Sequence, residues 1–211
     1  IYFVFLRKYK FFGKTPPPAV TSETETITIR DRRFRPYLSG DAIRSAISRL
    51  AATINRDYAD AERPLLLVTL NGAFVFAGEL FRQLEGPFEV AFVKLGSYGA
   101  GMTSSGTVSV DVPMTAAVEG RDVLIAEDIV ETGRTIDRLY HMLRERGARS
   151  VRVATLLLKP SVYYPQAEKA RLLPIDYAAF ETEPLFLVGY GMDYDGAGRN
   201  LGALYAICDN E

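Results

Sequence analysis

The stretch that most constrains the fold is Leu65–Leu70, an aliphatic run except for one Thr, with the length of a strand buried on both faces. Asn71 and Gly72 end this run, and a second strand-like stretch, Phe88–Lys94, follows a segment with helical periodicity. The apolar residues of that segment are Ala73, Ala77, Leu80, Phe81 and Leu84. Strand, helix and strand in this order form a βαβ unit, whose crossover makes the two strands parallel.

A second βαβ unit is predicted further along the chain. Its strands are Val123–Ala126 and Val151–Leu158, and its helix opens near Thr132 and ends at Gly147, a C-cap residue. The helix carries an apolar stripe of Ile136, Leu139, Tyr140 and Leu143. Two such units predict an α/β fold with a doubly wound parallel sheet, which binds ligands beyond the carboxyl ends of its strands. The loops at those ends are 71–72, 95–106, 127–135 and the segment after 158.

The chain ahead of these units divides into two parts. Thr26–Arg30 alternates Thr and Ile as a strand does, and Ser39 or Asp41 can cap a following helix. Residues 1–23 run from an apolar and aromatic start through basic residues to three prolines. We expect residues 1–23 to be a poorly packed N-terminal extension and residues 24–211 to form one domain.

Composition excludes several classes of protein. With 211 residues the chain is long enough for one α/β domain, and its net charge of -1 gives no electrostatic case for binding nucleic acid. The single Cys excludes an intrachain disulfide and favours a cytoplasmic location, while the single His excludes His-rich metal sites. No apolar run reaches the length of a membrane-spanning helix, so we expect no membrane partner.

The segment 127–135 has the composition of a sugar phosphate site. Two acids, Glu127 and Asp128, end a hydrophobic strand, and the start of a helix follows. A helix N-terminus offers unpaired N–H groups to a phosphate, and carboxylates accept hydrogen bonds from sugar hydroxyls. The residues that would surround a ribose 5-phosphate are Glu127, Asp128, Ile129, Val130, Thr132, Gly133, Arg134 and Thr135. A capped helix with solvated acids is the alternative, but the acids just ahead of the helix favour the sugar phosphate site.

The segment resembles the signature motif of type I phosphoribosyltransferases, and Glu25–Ile207 resembles the hypoxanthine-guanine phosphoribosyltransferase family. Four further motifs carry the resemblance: Leu70-Asn71-Gly72, the glycine-rich stretch 95–106, Leu157-Leu158-Lys159, and residues 186–194 with 199–201. The resemblance implies a central, mostly parallel sheet flanked by helices, with a small hood over the base site.

The resemblance also implies how pyrophosphate is held. Asn71 and Gly72, in a loop that often contains a cis peptide in the family, would contact it together with Arg199. Ser97 and Tyr98 would close over it as part of a mobile lid that excludes water. Asn71 stands where the family commonly has Lys, which puts one charged contact with pyrophosphate in doubt.

The purine site and the metal are implied in the same way. Lys159 would donate to the 6-oxo group and so disfavour adenine, Phe186 would stack on the ring, and the backbone of Leu187 and Asp193 would meet the base edge. Mg²⁺ would be bound by Glu127, Asp128 and Asp193. Glu131, where the family usually has Asp, would be the catalytic acid that shares a proton at purine N7.

The resemblance thus implies a purine salvage enzyme that joins the phosphoribosyl group to N9 of hypoxanthine or guanine and releases pyrophosphate. It also implies a homo-oligomer, a dimer or a tetramer. Two alternatives remain: a phosphoribosyltransferase for xanthine or another base, and a regulatory protein of the same fold that senses nucleotides. The near-neutral charge and the joint presence of Lys159, Asp193 and Arg199 argue against the regulatory alternative.

Overall fold

The computed structural model describes residues 10–11, 26–96, 109–112, 116–163 and 175–208. Ser97, Tyr98 and most of the lid and of the N-terminal extension therefore lie outside the described residues, and the predictions for them stay predictions. None of the described helices has both the length and the apolar character needed to cross a membrane.

Eleven strands and three helices have defined bounds in the described residues. The strands are β1 Lys10–Phe11, β2 Ile27–Ile29, β3 Arg32–Leu38, β4 Leu65–Thr69, β5 Glu89–Gly96, β6 Ser109–Val112, β7 Asp122–Val130, β8 Ser150–Leu158, β9 Tyr177–Glu181, β10 Leu187–Val188 and β11 Leu204–Ile207. The helices are α1 Gly40–Asp57, α2 Phe74–Phe81 and α3 Arg134–Glu145.

The main sheet has seven strands in the order β1-β9-β8-β7-β4-β5-β6. All its neighbours run parallel except β6, which pairs antiparallel with β5. The central strand β4 is buried along its whole length, as the aliphatic run predicted. The two predicted βαβ units are confirmed as β4-α2-β5 and β7-α3-β8.

Helices cover both faces of this sheet. The apolar stripes of α1 and α2 pack with one side of the central strands, and the stripe of α3 packs with the other side. The Ser39 hydroxyl caps α1 by accepting the Ala42 N–H at 3.2 Å, which confirms Ser39 as the N-cap. Gly147 follows the end of α3 with φ of 82°, the left-handed conformation of a C-cap glycine.

A second, four-stranded antiparallel sheet is built from the two ends of the domain, in the order β10-β11-β3-β2. We call this sheet and its loops the hood. Leu38, Leu187 and Leu204 extend from it into the core cluster of α1 and α2, so the hood is anchored on that side of the main sheet. The Tyr37 and Thr182 hydroxyls lie 2.6 Å apart and tie β3 to the segment after β9.

The structure differs from the sequence prediction at several strands, and β1, β6, β9 and β11 were not predicted. β7 runs to Val130, so Glu127 and Asp128 lie within the strand and not after its end, because residues 127, 129 and 130 still pair with β8. β3 was not predicted, because three Arg residues and Pro36 interrupt its apolar pattern and only Phe34 and Leu38 are fully turned inward.

Candidate active site

Two neighbouring cavities open at the carboxyl end of the main sheet, where the βαβ pattern predicts a ligand. The helix cavity, of about 270 Å³, lies at the N-terminus of α3. Its lining is Thr69, Leu70, Leu95, Glu127, Ile129, Val130, Glu131, Thr132, Gly133, Thr135 and Ile136. The hood cavity, of about 320 Å³, lies between the main sheet and the hood. Its lining is Asn71, Gly72, Asp128, Ile129, Glu131, Lys159, Phe186, Leu187, Met192, Asp193 and Arg199.

The helix cavity presents backbone and hydroxyl groups. Gly133 is the N-cap of α3 with φ of 74°, a left-handed conformation that favours glycine. Thr132 and Thr135 flank it on the cavity wall. The first N–H groups of a helix lack intrahelical partners and carry the positive end of its dipole, so this wall suits a phosphate. Arg134 is exposed and lines neither cavity, so the structure offers only its backbone to such a ligand.

Glu127 and Asp128 face different cavities, because successive residues of a strand point to opposite sides. The Thr69 hydroxyl lies 2.9 Å from Glu127 Oε1 and also 2.9 Å from the Ala126 carbonyl oxygen. Burial, and then the neighbouring Asp128 carboxylate, raises the pKa of Glu127 well above its ordinary value. The two carboxyl groups therefore line adjoining cavities and still contact each other, and their role at a ribose stays a prediction.

The loop between β4 and α2 is closely packed at Gly72. Its Leu70–Asn71 peptide bond is cis. A Cβ on Gly72 would lie 1.7 Å from Asp128 Oδ2, and a Cβ on Gly191 would lie 2.1 Å from the Gly72 carbonyl oxygen. Glycine at position 191 thus lets the hood touch the loop that the sequence predicts to bind pyrophosphate, and glycine at position 72 leaves room for the Asp128 carboxylate of β7.

Lys159 and Glu131 face each other across the hood cavity. The Lys159 side chain is only 7% exposed, that of Glu131 is 50% exposed, and the ammonium contacts Glu131 Oε1 as an ion pair. The Lys159 N–H also donates to the Val130 carbonyl oxygen at 3.0 Å, which continues the pairing of β8 with β7 and fixes where the side chain begins.

Arg199 and Asp193 form a second ion pair in the hood cavity. Arg199 Nη2 lies 2.6 Å from Asp193 Oδ1, and Arg199 Nη1 donates to the Gly191 carbonyl oxygen at 2.8 Å. Asp193 Oδ2 accepts the Gly196 N–H at 2.8 Å. These contacts hold the guanidinium and the carboxylate inside one hood loop.

Phe186 provides an aromatic wall that is 46% exposed. Tyr194 packs edge-on against it at a centroid distance of 5.9 Å, and Phe34 lies behind it at 6.4 Å. The Tyr194 hydroxyl is fixed by Asp31 at 2.8 Å. A ring supported on one side and open on the other suits stacking with a planar ligand.

The structure also adds site residues that the sequence reasoning missed. Thr69 is a polar residue at the end of an otherwise aliphatic strand, and that position was a signal that could have revealed it. Leu95 and Ile136 line the helix cavity, and Met192 lines the hood cavity. Their positions follow from the fold, and no local pattern singled them out.

The three predicted metal ligands do not form a ready-made cage. Among the residues that the structure describes, no cluster of three or more His, Cys, Asp or Glu side chains could hold a metal ion. Asp128 and Asp193 line the hood cavity and Glu127 lines the helix cavity. This donor set fits Mg²⁺ because that ion is commonly held by one or two carboxylates together with substrate phosphates.

Comparison with known proteins agrees with this geometry. The family model described as "Phosphoribosyl transferase domain" matches residues 36–195. The chain belongs to the phosphoribosyltransferase family, and the predicted type I fold is confirmed.

Several similar proteins are hypoxanthine or hypoxanthine-guanine phosphoribosyltransferases. The hypoxanthine-guanine phosphoribosyltransferase of Streptococcus pneumoniae is 38% identical over 164 residues, which cover 78% of this chain and 87% of that protein. That of Bacillus subtilis is 37% identical over the same length and with the same coverage. A hypoxanthine phosphoribosyltransferase of Staphylococcus aureus, solved by crystallography, superposes with a TM-score of 0.75 at 28% identity and covers 82% of this chain and 91% of its own. The chain belongs to this hypoxanthine-guanine branch and is a transferase, as the resemblance implied.

Proposed function

We propose that the protein transfers the 5-phosphoribosyl group of phosphoribosyl diphosphate to N9 of hypoxanthine or guanine. The observation that carries the proposal is that two cavities share one wall. One lies at a helix N-terminus that suits a phosphate, and the other is lined by an aromatic ring and a lysine. The names of the relatives support the same substrates.

The hood cavity supports the choice of a 6-oxopurine. Lys159 is a buried donor that cannot accept a hydrogen bond, and a 6-oxo oxygen supplies the acceptor. Adenine would present an amino group at that position, which leaves donor facing donor. Phe186 would hold the ring by stacking, and the backbone of Leu187 and Asp193 would meet its other edge.

In the reaction the C1–O bond to pyrophosphate breaks and the bond from C1 to N9 forms. The transition state carries positive charge on the ribose, which the carboxylates of Glu127 and Asp128 favour. Glu131 would accept the proton at purine N7. Arg199, with the backbone of Asn71 and Gly72, would bind the leaving pyrophosphate. Ser97 and Tyr98 would cover it from the lid.

Asp128 and Asp193, with Glu127 from the adjoining cavity, would hold Mg²⁺. When bound, this ion neutralises charge on the pyrophosphate oxygens. The carboxylates need not gather around the ion by themselves, because the phosphorylated substrate supplies the remaining oxygens.

We also propose that the chain works as a homo-oligomer. Val90 and Phe92, on the outward face of β5, are 42% and 48% exposed. Burial of such side chains against a second copy removes apolar surface from water. Size-exclusion chromatography with light scattering should give the molar mass of a dimer or a tetramer. The molar mass of a monomer at micromolar concentration would contradict this proposal.

The decisive experiment supplies phosphoribosyl diphosphate, Mg²⁺ and one base at a time, and measures both nucleotide and pyrophosphate. We expect product with hypoxanthine and guanine and none with adenine. Product with xanthine alone, or with a pyrimidine, would support the alternative substrates. Tight binding of phosphoribosyl diphosphate without turnover on any base would support the regulatory alternative.

A further inference from the structure

The ion pair of Lys159 and Glu131 crosses the cavity that the base must enter. Glu131 comes from the loop before α3, and Lys159 follows the end of β8. In the part of the chain that the structure describes, Glu131 is the only side-chain acceptor that Lys159 contacts. A nearly buried ammonium is costly without a partner, so this carboxylate stabilises Lys159 while no base is bound.

A 6-oxo oxygen that enters the hood cavity meets an ammonium that is already paired with Glu131. Lys159 has three N–H donors, but it is nearly enclosed, so the oxygen competes with the carboxylate for the part of the ammonium that faces the cavity. Glu131 is free to move because half of its side chain is exposed, whereas Lys159 is enclosed and its backbone is tied to β7. The exchange therefore moves the acid and leaves the lysine in place.

We infer that Glu131 is a gate of the hood cavity, which holds Lys159 before the base binds and sets the affinity for the base by competing with its 6-oxo oxygen. This inference rests on the proposed function and adds a second role for Glu131, separate from proton transfer at N7. The gate depends on the length of the Glu131 side chain, which lets the carboxylate reach Lys159. Aspartate is one methylene shorter and reaches Lys159 less well from the same backbone position.

The test compares wild type with Glu131→Asp. Calorimetry gives the dissociation constants of IMP and of ribose 5-phosphate, and steady-state kinetics give KM for hypoxanthine separately from kcat. We expect Glu131→Asp to tighten IMP binding and to lower KM for hypoxanthine by about fivefold, the size of a partly exposed ion pair. Binding of ribose 5-phosphate, which carries no base, should stay within about twofold.

Glu145→Asp is the matched control, because it removes the same methylene from an exposed acid of α3 that lines neither cavity. It should leave every constant unchanged. Unchanged or weaker binding of IMP by Glu131→Asp, in a protein whose wild type makes nucleotide, would overturn the gate alone. A wild type that makes no nucleotide would overturn the proposed function and the gate with it.

Discussion

The helix cavity and the hood cavity share the wall of Ile129 and Glu131, yet they satisfy their polar groups differently. The helix cavity offers backbone N–H groups and hydroxyls, and its acid Glu127 is hydrogen-bonded by Thr69 and not by a cation. In the hood cavity both cations are paired with carboxylates, Lys159 with Glu131 and Arg199 with Asp193.

This difference matters for the order of events at the site. A phosphate can bind at the helix cavity without breaking an ion pair, because backbone groups at a helix N-terminus are already oriented. In the hood cavity a base and a pyrophosphate would each bind a cation that is already paired with a carboxylate. We therefore expect the helix cavity to supply most of the affinity and the hood cavity to supply the discrimination between bases.

The contact of the hood with the pyrophosphate loop should be the most sensitive point. Gly191→Ala places a Cβ where the Gly72 carbonyl oxygen lies, at a φ of 102°. We expect kcat/KM to fall by about 100-fold, because a displacement of about 1 Å at a reacting site has that effect. Gly78→Ala is the control, since a Cβ there meets nothing within 4 Å. Equal activity of the two variants would show that catalysis does not depend on the contact between the hood and the pyrophosphate loop.

Loss of the lysine should have the next largest effect. Lys159→Met keeps the aliphatic stem and removes the buried donor, so we expect kcat/KM for hypoxanthine to fall by about 10- to 100-fold. The ratio of the rates with hypoxanthine and adenine should fall as well. Lys94→Met, at a half-buried position of β5 outside both cavities, should leave that ratio unchanged. An unchanged ratio in Lys159→Met would remove this residue from base selection.

The aromatic wall should contribute affinity and no chemistry. Phe186→Ala is expected to raise KM for hypoxanthine by about tenfold, because the stacking of a base on a ring is worth about 1–3 kcal/mol. Phe186→Tyr keeps the ring and should restore KM, since the half-exposed position lets its hydroxyl reach water. A tenfold rise of KM in Phe186→Tyr as well would show that the shape of the site, and not stacking on the ring, sets the affinity for the base.

The smallest expected effect is on stability. Because burial and Asp128 raise the pKa of Glu127, the folded protein keeps a proton that the unfolded chain releases above about pH 4.5. The free energy of unfolding of wild type should therefore fall as pH rises from 4.5 toward the raised pKa. Glu127→Gln removes this titration, so its Tm should exceed that of wild type by a few degrees at pH 7.

The advantage in Tm should shrink as pH approaches 4.5, and scanning calorimetry across the range measures it. Glu119→Gln, at an exposed site, is the matched control and should show no such trend. A Tm of Glu127→Gln below that of wild type at pH 7 would mean that the ionised carboxylate stabilises the helix cavity.

The sequence predicted the inner strands β4, β5, β7 and β8 of the main sheet, but it missed the outer strands of that sheet and most of the hood, for a physical reason. Strands buried on both faces, such as β4, must be continuously apolar, and that pattern is visible in one dimension. β3 and β10 belong to a small sheet whose residues come from both ends of the domain. The pairing of β11 with β3 depends on tertiary contacts that no local periodicity reveals.

The site shows the same division. Motifs at strand ends identified residues of both cavities, because the carboxyl ends of parallel strands converge. Which charges pair could not be predicted, since the contact of Lys159 with Glu131 depends on side-chain reach across the cavity. The position of Glu127 and Asp128 within a strand was missed because β7 was predicted to end too early.

The most direct test of the account is a crystal structure of the protein with IMP bound, beside one without ligand. We expect the phosphate at the N-terminus of α3 with the helix unmoved, the base against Phe186, and the Lys159 ammonium on the 6-oxo oxygen with Glu131 displaced. An IMP whose phosphate lies elsewhere, or a Lys159–Glu131 ion pair that stays closed beside the bound base, would contradict it.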